Sequence, residues 1–254
     1  MQRSLYVGVL LLLAACAQNS NVPVPTSTTV QIERTSGEPR SQGDFSRVAR
    51  RVEPVAETFC REEAPSAGRS YCDFQILLDT SPSSPPNAFQ TLSRDGRPVL
   101  VLTSALLEEM RSDDEIALVL SHEAAHHVAQ HLPKLQQSQA FGALIAGGIA
   151  TALGGDAVTD DAIRDAMDLG AFVGVRTYSQ QFEFEADWIG AFIAARAGYD
   201  PENGAQIFLR PSLQSGGGPT LLSTHPASPQ RTALVSQAAR EISQQQNAGL
   251  TPRP

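Results

Sequence analysis

The periodicity of apolar residues predicts helices in both halves of the chain. Residues 46–62 follow a helical pattern, although Pro54 lies inside it and can break the helix. Toward the C-terminus the pattern predicts one helix over 179–197, which Gly198 ends, and a last helix over 229–242.

A central helix is marked at both of its ends. Ser112-Asp113-Asp114-Glu115 forms a capping box directly before the apolar run Ile116–Leu120. We expect this helix to continue to about Leu132, where Pro133 stops it. Residues 140–153 are apolar and rich in Gly and Ala, too short for a membrane span, and are interpreted as a packed helix or helical hairpin.

Three short apolar runs predict strands, at Phe74–Asp79, Asn87–Leu92 and Arg97–Leu102. Asp95-Gly96 separates the second run from the third and is a strong hairpin signal. Pro98 indicates that the third strand lies at a sheet edge or begins there. With the helices, these strands predict an α+β domain that is mainly helical and contains a small β-sheet.

Composition limits the organisation and the partners of the chain. The 254 residues suffice for one substantial domain, or at most two small ones. The formal net charge is −8 and no basic stripe is present, which argues against a nucleic-acid partner.

The N-terminus has the features of an export signal. Met1-Gln2-Arg3 is followed by the apolar run Leu5–Leu13 and by a cysteine directly after two alanines. We expect residues 1–15 to be a lipoprotein signal peptide and Cys16 to carry the lipid; the alternative is an ordinary signal peptide with a chance cysteine. The residue after Cys16 is Ala17, whereas an Asp at this position would resemble an inner-membrane retention signal. The sequence therefore predicts a periplasmic lipoprotein anchored to the outer membrane.

The remaining chain divides into three parts. The lipidated cysteine and a polar tether cover 16–44, a single domain covers 45–243, and a disordered tail covers 244–254. In an oxidising compartment, Cys60 and Cys72 are expected to form a disulfide; two free buried thiols are the alternative.

The central helix carries a metal-binding pattern. His122 and His126 are four residues apart and share a helix face, so both imidazoles can reach one zinc ion. Glu123 lies beside them and can act as a general base toward an attacking water. A chance HExxH on a solvated helix face is the alternative, but the pattern follows an apolar run that an exposed face would not contain.

A later acidic pair can complete the site. A catalytic zinc needs a third protein ligand, and Glu183 and Asp187 share one face of the 179–197 helix. One carboxylate can bind zinc while the other orients a ligand imidazole. Such a pair is more often a surface feature. Here, however, the large apolar residues Phe182, Phe184 and Trp188 flank it, which indicates that at least part of this segment is buried.

The motifs together resemble those of a known family. HEAAHHVAQH, then FEFEAD followed by Gly190, then Thr224-His225-Pro226 and Arg231, resemble the zinc metallopeptidases that include HtpX, Oma-type and CAAX prenyl proteases. The resemblance covers roughly residues 70–235 and is closest to the periplasmic lipoprotein branch. It implies a gluzincin-type fold, in which a sheet edge pairs with an extended substrate.

The resemblance also implies roles for single residues. It makes Glu183 the third zinc ligand, Asp187 its supporting carboxylate, and His225 a histidine near the metal that either assists catalysis or caps the zinc. From the residues alone, Thr-His-Pro before a helix is usually a structural turn, which is the alternative for His225. Asn87-Ala88-Phe89 matches the family's substrate-side segment, although the hairpin after it lacks the glycine-rich sequence that is usual in the family. Arg231 either donates to the developing oxyanion or pairs with a carboxylate.

Two further histidines are not expected to bind the metal. His127 points about 100° away from His126, and His131 lies about half a turn round from His122 on a continuous helix.

The resulting prediction is an endopeptidase with one zinc ion per chain, acting on unfolded or misassembled envelope proteins. We expect the substrate to lie extended along an edge strand near Val99–Leu102. The alternatives are a latent or non-catalytic zinc-holding lipoprotein chaperone, and a structural protein with a chance motif.

Overall fold

The computed structural model describes residues 38–93, 96–137, 178–213, 220–226 and 228–254. Cys16, most of the predicted tether and the apolar stretch 140–153 lie outside these ranges, so what the sequence predicts for them stays a prediction. The described helices are α1 Gln42–Glu63, α2 Ser104–Glu109, α3 Asp113–Val128, α4 131–137, α5 Gln180–Arg196, α6 Pro201–Gly204, α7 Leu221–Thr224 and α8 Pro229–Asn247. Short 3-10 turns lie at Arg69–Cys72, Ala205–Leu209 and Pro211–Leu213. No helix among these residues is long and apolar enough to cross a membrane.

Helix α1 begins earlier than predicted and passes through its proline. Ser41 and Asp44 form a reciprocal capping box, so the fold starts before the predicted boundary at Phe45. Pro54 does not break α1, because it lies on the exposed side while Val52 and Phe59 hold the buried side against the core.

Helix α3 is buried around nearly its whole circumference, as expected for a central helix. Ser112 caps it by accepting from the Glu115 N–H, but the Glu115 carboxylate accepts from the Arg111 N–H and pairs with Arg210 instead of returning to Ser112. Half of the predicted capping box is therefore replaced by a buried ion pair.

The predicted end of α3 near Leu132 is wrong. The helix ends at Val128, and Gln130 turns the chain with a φ of 57°. Helical structure restarts at residue 131, which places Pro133 in a first turn, where its missing N–H has no helical partner to lose.

The sheet has strands β1 Gln75–Asp79, β2 Ala88–Leu92 and β3 Pro98–Thr103 in the order β1-β3-β2. β3 begins at Pro98, pairs antiparallel with β2 as the hairpin signal predicts, and pairs parallel with β1. The expectation that substrate would pair along Val99–Leu102 is wrong, because β3 is the central strand and both of its sides are already paired.

The C-terminus is more ordered than predicted. Helix α8 extends to Asn247, so residues 244–247 are not part of a tail. Beyond it, the Arg253 backbone forms two hydrogen bonds with the Gln245 side chain, and Pro252 is buried.

Helices α3 and α5 approach each other closely at a glycine. A Cβ built on Gly190 would lie 3.0 Å from both the Cα and the N of His122. These atoms belong to the α3 backbone and cannot move aside as a flexible side chain could. The absence of a side chain at residue 190 therefore sets how near α5 comes to the HExxH residues.

Two cysteines join α1 to the turn that precedes the sheet. Cys60 and Cys72 form a disulfide with their Cα atoms 5.6 Å apart and a sequence separation of 12. Both residues are buried in the core.

We expect Gly190→Ala to lower the free energy of unfolding by about 1–3 kcal/mol, because the methyl group would overpack the α3–α5 contact. Urea unfolding measures this change. Gly43→Ala is the matched control: Gly43 is also helical, but its Cβ would meet only Ser41 Oγ at 3.5 Å. The control should be neutral or slightly stabilising; equal effects at both positions would contradict the close approach.

Replacing both Cys60 and Cys72 by Ala should lower the free energy of unfolding by about 3 kcal/mol, since the bridge restricts the unfolded chain. Urea midpoints with and without reductant test this. Reductant should shift the wild type toward the variant and leave the variant unchanged. A variant as stable as the oxidised wild type would contradict the prediction.

Candidate metal centre

Four side chains from three parts of the fold converge at the face of α3. His122 and His126 come from α3, Glu183 from the first turn of α5, and His225 from the residue after α7. One ligand atom from each lies within 4.8 Å of the others, and all four residues are buried. The structure thus brings together the two HExxH histidines, the expected third ligand and the histidine that the resemblance placed near the metal.

The distances between the donor atoms fit a zinc ion. His122 Nε2 lies 3.0 Å from His126 Nε2, 3.2 Å from His225 Nδ1 and 3.4 Å from Glu183 Oε2. Glu183 Oε1 lies 3.4 Å from His126 Nε2 and 3.0 Å from His225 Nδ1. Four ligands placed tetrahedrally at zinc's usual distances are separated by about 3.4 Å. The donor set of imidazole nitrogens and a carboxylate is also one that zinc prefers.

Asp187 contacts the His122 imidazole on the side that faces away from the cluster. Its Oδ1 lies 3.0 Å from Nδ1 of His122, the ring nitrogen that faces away from the cluster. This arrangement fixes the ring's orientation and leaves Nε2 free to bind a metal.

Every guanidinium nitrogen of Arg231 has a partner within the protein. Its Nε and Nη2 donate to the two oxygens of Asp187 at 2.6 and 2.7 Å, and its Nη1 donates to the His225 carbonyl at 2.9 Å. Nη1 also lies 3.0 Å from Glu183 Oε2, and the guanidinium covers the Phe208 ring. Since each guanidinium nitrogen is engaged and the side chain is buried, the proposed oxyanion role is replaced by the carboxylate-pairing alternative.

Glu123 lies beside the cluster without a hydrogen-bond partner. The side chain is fully buried, and neither carboxylate oxygen has a partner among the described residues. His225 Nε2 lies 3.5 Å from its Oε1. A buried, unpaired carboxylate is costly, so its retention at this place is best explained by a chemical role.

The pKa values of Glu123, Glu183 and His126 are shifted by different balances of burial and neighbouring charge. Burial raises the pKa of Glu123, although the nearby histidines partly offset it. Burial acts in the same direction on Glu183, but the charges of His225 and Arg231 outweigh it and hold that pKa well below its usual value. Burial also keeps the pKa of His126 well below its ordinary value, so its imidazole is neutral, as a metal ligand must be.

Two neighbours of His126 were not expected from the sequence. Tyr178 stacks on its ring with centroids 4.0 Å apart, and His131 Nδ1 lies 2.7 Å from its Nδ1. The turn at Gln130 brings His131 back toward α3, which a continuous helix would not do. Tyr178 lies directly before the Ser179 cap of α5, a position that the FEFEAD motif alone did not single out.

His127 is not one of the four donors of the cluster, as expected. Its Nε2 lies 2.7 Å from the Tyr71 carbonyl, and its ring packs against Tyr71 and Phe74.

The segment Asn87-Ala88-Phe89 leads into β2, the outer strand of the described sheet on this side. Asn87 accepts from Thr224 Oγ1 and from the Ala88 N–H, which fastens the start of β2 to the turn that holds His225. The Asn87 and Phe89 backbones face β3, so the Ala88 and Gln90 backbones face the other way, where no described strand pairs. Gln90 contacts Tyr178 through a side-chain hydrogen bond of 3.2 Å, which places this edge next to the cluster.

Comparison with known proteins agrees with this geometry. The model of peptidase family M48 matches residues 45–239. The mitochondrial metalloendopeptidase OMA1 of Saccharomyces cerevisiae is 30% identical over 194 residues, which cover 71% of this chain and 53% of the yeast protein. The β-barrel assembly-enhancing protease of Escherichia coli is 29% identical over 152 residues, which cover 56% of this chain and 31% of the relative.

This chain therefore spans about half or less of the length of these relatives. The family match, however, includes α3, α5 and all four residues of the cluster. The chain belongs to peptidase family M48.

Proposed function

We propose that the chain is a zinc-dependent endopeptidase that cleaves unfolded or misassembled proteins of the bacterial envelope. The observation that carries this proposal is the buried Glu123 carboxylate, which has no hydrogen-bond partner among the described residues and lies next to a four-donor cluster. A site that only held zinc would have no use for such a base.

The residues divide the chemistry among them. His122, His126 and Glu183 would hold the ion, which when bound supplies the Lewis acid that polarises the scissile carbonyl and activates water. Glu123 takes the proton of the attacking water and passes it to the leaving amine. Asp187 lies against His122 Nδ1 and accepts from Arg231, which keeps the ligands in place.

An extended substrate is supported by the edge position of β2, since the Ala88 carbonyl and the Gln90 backbone face away from β3. Once this buried edge is uncovered, these groups can pair with a peptide as an additional strand, which recognises main chain more than side chains. A chain must be locally unfolded to bind in this way. This corrected edge replaces the central strand β3 and favours unfolded or misassembled proteins as substrates.

The envelope is the compartment that the proposal names. The predicted signal peptide and lipid-bearing Cys16 agree with export, and the Cys60–Cys72 disulfide agrees with an oxidising environment. A role in protein quality control is consistent with the E. coli relative, whose name refers to β-barrel assembly.

A second candidate is a latent or non-catalytic zinc-holding chaperone. It is favoured by His225, because a fourth protein donor closes the coordination shell, as in structural zinc sites. The two candidates differ in whether Glu123 is needed for function.

We expect Glu123→Gln to reduce cleavage of casein, an unfolded protein, by about 100-fold or more, since the general base is lost. Zinc content, measured by mass spectrometry of metals, should stay at the wild-type level because Glu123 is not among the four donors. Glu108→Gln is the matched control, since Glu108 is exposed on α2.

Undiminished casein cleavage by Glu123→Gln would overturn the proposed catalytic role. If wild type and Glu123→Gln equally restore envelope function to cells that lack the protein, the chaperone candidate is correct. Loss of this function in Glu123→Gln alone supports the endopeptidase.

We expect Cys16→Ser to lose its association with the outer membrane, since the acceptor of the lipid is removed. Membrane fractionation after expression in a Gram-negative host measures this. Ser20→Ala, in the same predicted tether, should fractionate like the wild type. Equal outer-membrane sedimentation of Cys16→Ser would contradict the lipid anchor.

A further inference from the structure

Outside the four-donor cluster, His131 contacts both His126 and Glu185 and so links these two residues. His131 Nδ1 lies 2.7 Å from His126 Nδ1, and His131 Nε2 lies 3.2 Å from Glu185 Oε2. His131 is fully buried and stacks on Phe182, with ring centroids 4.3 Å apart. We propose that His131 and Glu185 are positioning residues that orient His126 for zinc and fix its tautomer.

The hydrogen-bond directions follow from metal binding. His126 presents Nε2 to the cluster, so its one proton lies on Nδ1 when that imidazole binds zinc. Nδ1 then donates to His131 Nδ1, which must accept and therefore carries its own proton on Nε2. That proton is donated to the Glu185 carboxylate. Only one arrangement of protons satisfies every contact, and it needs both imidazoles to be neutral and Glu185 to be ionised.

The two HExxH histidines are therefore supported in different ways from the same helix. Asp187 reaches His122 directly, with 3.0 Å between Oδ1 and Nδ1. Glu185 is two residues from Glu183 and faces another side of α5, so it reaches His126 only through His131. Helix α5 thus supplies a ligand and both outer carboxylates.

The backbone turns at Gln130, directly before His131. Gln130 has a φ of 57°, and the described residues contain no other non-glycine residue with positive φ. A non-glycine residue in this conformation is strained, and such strain is retained where the surrounding structure needs it. Here it ends α3 at Val128 and turns His131 toward His126.

The test compares zinc affinity among His131 variants, and it rests on His126 being a ligand, as proposed above. His131→Phe keeps a ring against Phe182 and removes the acceptor. His131→Asn removes the ring and places an amide oxygen near the position of Nδ1. Dissociation constants for zinc are measured by competition with a chelator, and Co²⁺-loaded protein reports ligand geometry through its visible spectrum.

We expect His131→Phe to weaken zinc binding by about 10–100-fold, the usual effect of losing a partner of a ligand imidazole. The Co²⁺ spectrum of this variant should also shift. His131→Asn should restore most of the affinity, and Glu185→Gln, which keeps an acceptor without its charge, should weaken binding less than His131→Phe. His127→Phe is the matched control, because His127 bonds to the Tyr71 carbonyl and should keep wild-type affinity.

Wild-type zinc affinity in His131→Phe would overturn the proposal. Equal losses in His131→Asn and His131→Phe, with apoproteins that unfold at the wild-type temperature, would also overturn it, because ring packing would then explain both. Since the readout is metal affinity, cleavage retained by Glu123→Gln would refute the catalytic role of Glu123 without affecting this result.

Discussion

The close contact between α3 and α5 at Gly190 is the constraint on which the site depends. Gly190 lies against the His122 backbone, so the acidic first half of α5 faces the histidines of α3. The Cβ that Gly190 lacks would meet α3 main chain, which side-chain adjustment cannot move away. The separation of two helices thereby sets the distances between carboxylate and imidazole atoms.

That contact also concentrates charge away from water. Glu123, Glu183 and Asp187 are each at most 1% exposed, and Arg231 is a buried cation beside them. Burying ionisable groups together at low dielectric is costly unless their charges are compensated. A divalent cation among the four donors would compensate the carboxylate of Glu183 and replace protons on the imidazoles. The same argument explains why Arg231 bonds to two carboxylates and a carbonyl instead of facing substrate.

Local parts of this arrangement were accessible from the sequence because they depend on spacing. The four-residue interval between His122 and His126 fixes a shared helix face, and Gly198 ends α5 with a φ of 85° as a helix terminator should. The Asp95-Gly96 signal likewise predicted the β2–β3 hairpin. Each of these features is decided within a few residues.

The errors arose where distant segments decide the outcome. The place of β3 at the sheet centre depends on a parallel partner, β1, that no turn signal connects to it. Gln130 carries no sequence mark of a positive φ, so the bend that brings His131 to His126 could not be anticipated. Arg231 had two plausible roles until its partners on α5 were known.

The outer strand β2 and the fourth donor belong to one hydrogen-bonded unit. Asn87 joins the start of β2 to Thr224, and the Leu221 N–H donates to the Pro86 carbonyl. His225 follows Thr224 directly, so its position and that of the start of β2 are set by the same contacts. In the middle of β2, Gln90 bonds to Tyr178, which stacks on His126. The first half of β2 is therefore tied to the metal centre at two points, so a peptide added to this strand, as proposed above, would lie close to the donor cluster.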